Sequence, residues 1–410
     1  MQKATRLDLH SGLPYWLVIN GLLGDYPPLL RPLPDEDIVI IGAGISGALV
    51  AHELCTAGFR CTMLDRRLIA SGSTWASTAH LNYELDVSLG DLKKKYGEAA
   101  AVRIYQASLQ AVTRVGEVLR ESGLDAGYEQ KGSLYLASDR KGAKENKEEY
   151  ILRKQHGLPV ELLDEDELKA GYGIDRRNAL KHDGAAQIDA YRAAFGLIRH
   201  HAESGALQVY TRTEVVKLDC GSEGVELLTA TGLRIRARHV VCAPGYESDF
   251  FLPKRVMDIS STYALATQPL AEADLWKDRP LIWETARPYF YLRSTAEGRI
   301  MMGGGDVPFK NATLRDALLG RKEEELLAKC SSLFPHLKGL SADFTWCGTF
   351  GETDDGLPYI GEYPGMKGVS FALGYGGNGI TFSMIAAEVI RNKLQGRKDE
   401  RECLFAFRRG

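Results

Sequence analysis

Residues 37–65 read DIVIIGAGISGALVAHELCTAGFRCTMLD, and this stretch decides the fold of the chain. Its β-branched apolar run, 38–41, predicts a strand that is buried on both faces. The apolar-periodic segment 45–57 predicts a helix, and 61–64 predict a second strand that ends on Asp65. The stretch therefore predicts a strand–turn–helix–strand unit of a parallel sheet.

Three glycines with the spacing GxGxxG, Gly42, Gly44 and Gly47, connect the first strand to the helix. In this fingerprint the first glycine makes a tight turn, the second lets the backbone approach a pyrophosphate, and the third lets helix and strand pack closely. The helix N-terminus offers N–H groups to the phosphates, and Asp65 can accept hydrogen bonds from a ribose. Arg66 and Arg67 could suggest the 2′-phosphate of NADP, but Asp65 would repel that phosphate. We expect the pair to be solvated or to contact adenine or phosphate edges.

The composition indicates a globular protein. The chain has 410 residues, enough for two domains or one large interrupted domain. Its net charge of −3, without any block of five Lys or Arg residues, argues against nucleic acid as a partner. No apolar run approaches the roughly 18 residues of a membrane span. Seven scattered cysteines without a CxxC pair predict neither disulfides nor a metal site, and we expect a reducing cytoplasm.

A second glycine run, 374–379, precedes a helix near the end of the chain. No strand with a terminal acid follows that helix, so this tail is expected to complete the first nucleotide-binding unit. One dinucleotide unit without a second favours FAD over NAD. The amides at the start of the tail helix could stabilise the negative charge that develops on a flavin when it accepts a hydride.

Two other segments carry predictions. Residues 70–80 are small and hydroxyl-rich, which suits a backbone that lies against a flat or phosphorylated ligand, although a polar surface loop is the alternative. Residues 1–36 are too aromatic and apolar for a disordered tail, so we expect an ordered arm packed on the body. A contact between copies of the chain is a second role for this arm.

With these motifs placed, the sequence resembles the D-amino-acid-oxidase-like (DAO) family of FAD-dependent oxidoreductases, of the glycine oxidase, sarcosine oxidase and γ-glutamylputrescine oxidase type. Besides 37–65, the resemblance rests on SGSTWASTAH (71–80), HVVCAPG (239–245), TFGETDDGLPYIG (349–361) and GYGGNGITFS (374–383). It implies an α/β fold with a discontinuous Rossmann-type FAD-binding domain and a second, α+β substrate domain on a mixed or antiparallel sheet. The implied division is a 1–36 arm, an FAD domain of 37–125, 181–255 and 345–410, and a substrate domain of 126–180 and 256–344.

The family's FAD contacts carry over to this sequence position by position. They fall on the glycine fingerprint, the hydroxyl-rich loop, three isolated positions and the second glycine run: Gly42, Gly44, Ile45, Ser46, Gly47, Asp65, Arg66, Ser73, Thr74, Ser77, Thr78, Val215, Ala243, Gly245, Gly376, Gly377, Asn378, Gly379, Ile380 and Thr381.

The departures from the family pattern bear on function. Phe350 stands where glycine oxidase-like members have a carboxylate-binding arginine. Sarcosine oxidase-like members have an arginine near Ala79 and an oxygen-activating lysine near Met301, and both are absent here. Their flavin-linked cysteine aligns with Gly348, and the adjacent Cys347 would face the other side of a strand. The resemblance therefore implies non-covalent FAD and argues against a simple α-amino-acid substrate and rapid use of oxygen.

Seven residues are candidates for the substrate face: Tyr263, Tyr289, Tyr291, Arg293, His80, Glu84 and Glu352. We assign catalytic roles to His80, Tyr263, Tyr291 and Arg293. Tyr291 and Arg293 alternate on one strand and could face one side, where Arg293 could bind a carboxylate. A surface arginine and a structural histidine are the alternatives for Arg293 and His80.

The expected function is oxidation of the C–N bond of an amine or amino acid by hydride transfer to flavin N5. Oxygen or another acceptor would reoxidise the flavin, and the oligomeric state stays open. One alternative is an FAD-dependent 2-hydroxy-acid dehydrogenase, in which His80 would be the base. The other is a flavoprotein subunit of an electron-transfer complex, which would favour an exposed apolar patch near the arm.

Overall fold

The computed structural model describes residues 7–409, which contain eighteen strands. In chain order these are β1 (His10–Gly12), β2 (Glu36–Ile41), β3 (Cys61–Leu64), β4 (His80–Leu81), β5 (Glu129–Leu136), β6 (Glu161–Asp164), β7 (Asn178–Gln187), β8 (Leu207–Tyr210), β9 (Val215–Cys220), β10 (Val225–Thr229), β11 (Arg234–Cys242), β12 (Asp258–Thr267), β13 (Leu281–Glu284), β14 (Phe290–Ser294), β15 (Ile300–Pro308), β16 (Ala342–Glu352), β17 (Tyr359–Glu362) and β18 (Val369–Leu373).

Twelve α-helices connect the strands of the described chain. They are α1 (Tyr15–Asn20), α2 (Ile45–Thr56), α3 (Ser73–Ala76), α4 (Leu89–Tyr96), α5 (Glu98–Glu121), α6 (Arg140–Gln155), α7 (Glu165–Tyr172), α8 (Ala190–Glu203), α9 (Ala312–Ala317), α10 (Leu319–Leu333), α11 (Gly379–Leu394) and α12 (Arg401–Phe405). Within residues 7–409, no helix is long and apolar enough to cross a membrane.

The smaller sheet is the nucleotide-binding sheet that the sequence predicts. Its strand order is β17-β18-β11-β2-β3-β8, and β10 and β9 extend it from β11. The strands from β18 to β8 are parallel, and β2 lies between β11 and β3. Residues Ile38–Ile41 are buried because helix α2 and its neighbours cover the sheet, which confirms the predicted strand–turn–helix–strand unit.

The larger sheet has ten strands and is mixed, as predicted for the substrate domain. Its order is β1-β16-β12-β15-β14-β13-β5-β7-β4, with β6 paired to β7. All pairs are antiparallel except β13 with β5. Helix α10 packs on one face through Leu326, Cys330 and Leu333, and the opposite face is turned toward the smaller sheet.

Sheet membership differs from the predicted domain division at two boundaries. The predicted boundary at 181 falls inside β7, and the boundary at 345 falls inside β16, yet both strands belong to the larger sheet. Strand β16 pairs with β12 along its whole length, from Glu352 opposite Asp258 to Ala342 opposite Thr267. A continuous ladder of hydrogen bonds cannot be divided between two units, so both strands belong with the substrate sheet.

The N-terminal arm is ordered over residues 7–36, as predicted, whereas residues 1–6 lie outside the described chain. Strand β1 adds to the edge of β16. Tyr15 is buried and its hydroxyl donates to Glu297 at 2.8 Å, and the Trp16 indole donates to the Ser77 carbonyl at 2.7 Å. These contacts tie the arm to the larger sheet and to the hydroxyl-rich loop.

Candidate active site

A cavity of about 330 Å³ lies between the two sheets. It begins at the carboxyl ends of β2, β3 and β11, where parallel sheets bind ligands, and ends against the inner face of β12, β14, β15 and β16. Its volume is within the range of ligand and cofactor sites, roughly 300–1,000 Å³. Of the predicted cofactor contacts, all except Gly47 and Thr381 line it.

The glycine fingerprint borders one end of the cavity, which we call the narrow end. A side chain on Gly42 or Gly47 would clash with the neighbouring backbone. Gly42 has φ +108°, and a Cβ on it would lie 2.2 Å from the Ala243 carbonyl oxygen. A Cβ on Gly47 would lie 1.9 Å from the Gly42 carbonyl oxygen. Gly44 faces Thr74, whose hydroxyl accepts from the Ile45 N–H at 3.0 Å. The predicted packing role of Gly47 fits this geometry and explains why Gly47 does not line the cavity.

Asp65 braces the same turn. One carboxylate oxygen accepts from the Ala43 N–H at 2.6 Å, and the other accepts from the Arg67 N–H at 2.7 Å. Burial raises the pKa of Asp65, while these two donors oppose the rise. Each carboxylate oxygen keeps a second lone pair with which it can accept a hydrogen bond from a ribose hydroxyl.

The sequence did not identify Glu247, although its carboxylate pairs with the two arginines at the narrow end of the cavity. Arg67 donates to it at 2.7 Å, and Arg66 donates from Nε at 3.1 Å. Glu247 is 7% exposed, so the two guanidinium groups share one buried carboxylate, which offsets one of their two charges, and they are not simply solvated, contrary to one expectation. A motif search could not find this residue, because only its position after HVVCAPG marks it.

Every second residue from 80 to 86 lines the cavity, as an extended segment requires: His80, Asn82, Glu84 and Asp86. We call these four residues the acceptor row. His80 Nε2 and Asn82 Oδ1 are buried and have no hydrogen-bond partner within residues 7–409. Burial and the nearby Arg293 lower the pKa of His80 well below its usual value, so its imidazole is a neutral acceptor. Such unpartnered atoms fit a cavity built for a polar ligand.

Glu84 is held as a carboxylate by partners from the larger sheet and helix α6. Its oxygens accept from Arg153 and from the Trp283 indole at 3.3 Å, and His182 Nε2 lies at 3.1 Å. His182 Nδ1 accepts from the Gly184 N–H at 3.0 Å, so its proton is on Nε2, which lies close to Glu84 without forming a hydrogen bond to it. Burial alone would raise the pKa of Glu84, but Arg153 and His182 outweigh burial and lower it to about 2.

The opposite end of the cavity borders the larger sheet, and we call it the wide end. Aromatic and acidic residues line it. Tyr291 meets the His80 ring edge-on at 5.1 Å between centroids. The other aromatic residues there are Trp283, Tyr289 and Phe350, and the carboxylates besides the acceptor row are Asp306 and Glu352. Among residues 7–409, the Lys and Arg side chains that line this cavity are Arg66 and Arg67, at the opposite end.

Tyr263, predicted as catalytic, lies on the far side of the sheet. It is 1% exposed, packs in the core under α10, and its hydroxyl donates to the Arg315 carbonyl at 3.2 Å. Its neighbour Thr262 lines the cavity instead. Because strand side chains alternate between faces, an error of one residue moved this prediction to the wrong face.

Arg293 also lies outside the cavity. It is 2% exposed, its guanidinium sits 5.1 Å from the Trp16 ring centroid, and it donates to the Ile188 carbonyl at 3.3 Å. The predicted alternation with Tyr291 is correct, but the cavity stops at Tyr291 and His80. Arg293 therefore occupies a buried position behind His80. It does not line the cavity, which corrects the predicted contact with a substrate carboxylate.

The N-terminal end of α11 closes the cavity beside the acceptor row. The Gly377 N–H donates to Asp86 at 2.8 Å, and the Asn378 amide donates to the carbonyls of Asn82 and Glu84 at 3.1 and 2.9 Å. Thr381 is turned away from the cavity and donates to the Asn82 carbonyl at 3.4 Å. Asn378 and Thr381 thus hold the acceptor row in place.

Gly348 lines the cavity, whereas Cys347 faces the opposite side of β16, as predicted. The Cys347 thiol points to Asp316 Oδ1 at 3.5 Å and to the Ser11 carbonyl at 3.8 Å. Burial raises the pKa of this thiol to about 11. A buried neutral thiol on the far face is placed for packing and not for bonding to a flavin.

Comparison with known proteins agrees with this geometry. The glycine oxidase of Bacillus licheniformis is 26% identical over 384 residues, which cover 91% of this chain and 96% of that protein. The γ-glutamylputrescine oxidoreductase of Escherichia coli (strain K12) is 26% identical over 370 residues, covering 88% and 84%.

The structure of glycine oxidase from Geobacillus kaustophilus superposes with a TM-score of 0.77 at 22% identity, covering 92% of this chain and 100% of that one. This likeness shows the fold, with a nucleotide-binding sheet and a substrate sheet. The family model DAO, described as FAD dependent oxidoreductase, matches residues 37–392. The chain therefore belongs to the DAO family of FAD dependent oxidoreductases and is an enzyme that uses FAD.

Proposed function

We propose that this protein oxidises a C–N bond of a cationic amine and not of an α-amino acid. One observation carries the proposal: the wide end of the cavity presents carboxylates and neutral acceptors but, among the described residues, no Lys or Arg side chain. An α-amino acid brings a carboxylate next to the reacting carbon, and that carboxylate would be desolvated without a partner. Phe350 lines the position where the family resemblance would place the arginine.

We assign FAD to the cavity along its whole length. Its pyrophosphate would lie at Gly42 and Gly44, where the backbone is open to a ligand and the dipole of α2 favours negative charge. Asp65 would hold the ribose, and Ser73, whose hydroxyl is buried without a partner in the described chain, would donate to a phosphate or ribose oxygen. When bound, FAD supplies the acceptor for the hydride.

The protein's own residues then position the amine and take its proton. An ammonium group must lose a proton before its nitrogen can assist departure of a hydride from the neighbouring carbon. His80 Nε2 is buried and unpartnered within residues 7–409, so it is our candidate acceptor for that proton. Its lowered pKa makes it a weak base, so the transfer is driven by the hydride departure that follows. Tyr291 packs against His80 and holds the ring in this place. The aromatic walls exclude water from the reacting carbon.

The alternative substrate, a 2-hydroxy acid, fits this cavity less well. It would use His80 as a base but would also bring a carboxylate to the acidic end. Four carboxylates face this end, on Glu84, Asp86, Asp306 and Glu352. Repulsion and lost hydration would both oppose its binding.

Exposed apolar side chains in the arm support a second candidate, a flavoprotein subunit of an electron-transfer complex. Leu13, Val18, Ile19, Leu22 and Leu30 are 45–79% exposed. Such a patch is common at protein interfaces. If this second candidate holds, the isolated protein will turn over slowly with every small acceptor until a protein acceptor is added.

We place the protein in the cytoplasm, with oxygen or another small acceptor as the final oxidant. The seven cysteines are free thiols, and five of them are buried, which suits a reducing compartment. Subcellular fractionation of the source cells, with oxygen consumption followed in each fraction, tests both assignments.

The proposal is tested by anaerobic addition of substrates to the purified yellow protein, with bleaching of the flavin absorbance as the readout. We expect bleaching by primary or secondary amines. Bleaching by a 2-hydroxy acid or by NADH, with no response to any amine, would contradict the proposal.

FAD is expected to be released when the protein is precipitated with acid. The reason is that Gly348 occupies the position of the linking residue and the Cys347 thiol faces away from the cavity. Absorbance of the supernatant at the flavin maximum measures the release. A pellet that stays yellow after washing would show a covalent link.

A further inference from the structure

A second depression of about 430 Å³, which we call the acidic vestibule, adjoins the wide end of the cavity. Five residues line both spaces, so the two are adjacent: Asp86, Tyr289, Asp306, Glu352 and Gly376. A substrate that reaches the flavin end through this opening would pass those side chains. The vestibule was not anticipated from the sequence, because its carboxylates come from three distant segments.

The vestibule has four carboxylates, on Asp86, Asp306, Glu352 and Asp354, and one guanidinium, on Arg287. None of the four carboxylates forms an ion pair within residues 7–409. Arg287 forms no ion pair with them, because it stacks 3.3 Å from the Tyr289 ring centroid and donates to backbone carbonyls, so its single positive charge offsets only part of theirs. The opening is therefore negative and would attract cations.

Two buried acceptor atoms face a ligand that would span the two spaces. Asn82 Oδ1 belongs to a side chain only 8% exposed, lines the cavity but not the vestibule, and has no partner in the described chain. Asp306 Oδ1 belongs to a half-buried side chain that borders both spaces, and this atom is itself buried without a partner there. Buried polar atoms are rarely left unsatisfied, so each of these positions calls for a donor from a bound molecule.

We propose that the substrate carries two cationic nitrogens, one at the reacting carbon and a second held in the acidic vestibule by Asp306 and Glu352. Tyr289 lines both spaces and Tyr291 lines the cavity, so aromatic surface is available to pack against the methylene chain between the two nitrogens. This proposal rests on amine oxidation as the function and specifies its substrate class as a diamine or polyamine.

The test compares three amines of equal length: butylamine, 1,4-diaminobutane and 4-aminobutanoate. The rate of anaerobic flavin reduction at rising concentration gives an apparent Kd and a limiting rate for each. We expect the diamine to bind about tenfold or more tightly than butylamine, from charge-assisted hydrogen bonds to the second nitrogen. The limiting rates should be similar, because the second nitrogen adds binding that is equal in ground and transition states. 4-Aminobutanoate should bind more weakly than butylamine.

The variants Asp306→Asn and Glu352→Gln, singly and combined, should lower the ratio of the butylamine Kd to the diamine Kd toward one, whatever change the two amines share. Asp258→Asn is the matched control, because Asp258 is cross-strand from Glu352 but does not line either space. FAD content and the absorbance spectrum show whether each variant is folded. A diamine preference that survives in the double variant, or is absent from the wild type, overturns the proposal.

The Kd ratio of butylamine to diamine should rise with pH near 6. Burial and the facing Asp86 raise the pKa of Asp306 to about 6, opposed by Thr262, Lys322 and Arg287. Burial, Asp86, Asp306 and Asp258 also raise the pKa of Glu352, and Arg287 opposes this. Above these pKa values both groups are charged and bind the second ammonium. A flat ratio from pH 5 to 8 would count against both carboxylates.

Calorimetric titration of the FAD-loaded protein with 1,4-diaminobutane separates this proposal from the proposed function. If no amine bleaches the flavin but the diamine still binds more tightly than butylamine, the proposed function is wrong and the vestibule proposal is supported. If butylamine bleaches the flavin and the two amines bind equally, the proposed function is supported and the vestibule proposal is wrong.

Discussion

Replacing Arg153 with methionine should lower the free energy of unfolding by about 3–5 kcal/mol, the cost of breaking a buried ion pair. Arg153 is 2% exposed and bridges the carboxylates of Glu84 and Glu149. Without it, both carboxylates stay buried, and Glu84 keeps only His182 and Trp283. Because Glu84 belongs to the acceptor row, the same variant should also retain less FAD.

Urea denaturation followed by tryptophan fluorescence measures the stability change. Arg199→Met is the matched control, because Arg199 forms an exposed pair with Glu203 at 3.7 Å and should cost at most about 1 kcal/mol. The double variant Arg153→Met with Glu84→Gln should recover part of the loss, since it removes an uncompensated charge. Equal stability of Arg153→Met and Arg199→Met would refute the described network.

The same network gives a pH dependence with a defined sign. The pKa of Glu84 is about 2 in the folded protein, below the usual value near 4.5. A depressed pKa contributes stability above the unfolded value, and this contribution is lost as the pH falls from about 4.5 toward 2. The Glu84→Gln variant should lack this part of the acid dependence.

Replacing Gly47 with alanine should weaken FAD binding on the order of 10- to 100-fold, because overpacking of this kind costs about 1–3 kcal/mol or more. A Cβ at Gly47 would lie 1.9 Å from the Gly42 carbonyl oxygen, a backbone atom that cannot move without opening the turn. That turn carries Gly42 and Gly44, which border the narrow end of the cavity.

Fluorescence titration of the apoprotein with FAD measures this effect. Gly320→Ala makes the same change in helix α10, where a Cβ would meet no atom within 4 Å, and should leave FAD binding unchanged. If Gly47→Ala binds FAD as tightly as Gly320→Ala does, the fingerprint turn is not part of the cofactor site.

The nucleotide-binding half could be predicted because its signals are local. The strand–turn–helix–strand unit lies within residues 37–65. Glycine is required at Gly42 and Gly47 because neighbouring backbone atoms leave no room for a side chain. The substrate half depends on contacts between distant segments. Glu84 contacts Arg153 and His182, and no pattern in any of the three segments predicts these contacts.

Tyr263 shows a different limit. Strand β12 pairs with β16 without a register shift from Asp258 to Ala266, which places Thr262 opposite Gly348 on the cavity face and Tyr263 opposite Cys347 on the other face. Alternation in the sequence shows that neighbours face opposite sides of a strand, but it cannot show which side borders the cavity. Arg293 shows that predicting the correct face of a strand does not predict contact with the cavity. A residue beyond the end of the cavity can lie on the same face as a residue that lines it.

The central claim is that the protein oxidises an amine that has no carboxylate on the reacting carbon. The direct test is a matched pair, butylamine and norvaline, which differ only by that carboxylate, with anaerobic flavin reduction as the readout. We predict that butylamine reduces the flavin with the higher ratio of limiting rate to Kd, because the wide end of the cavity offers carboxylates and no Lys or Arg side chain in the described chain. Faster reduction by norvaline, in either enantiomer, would contradict the claim.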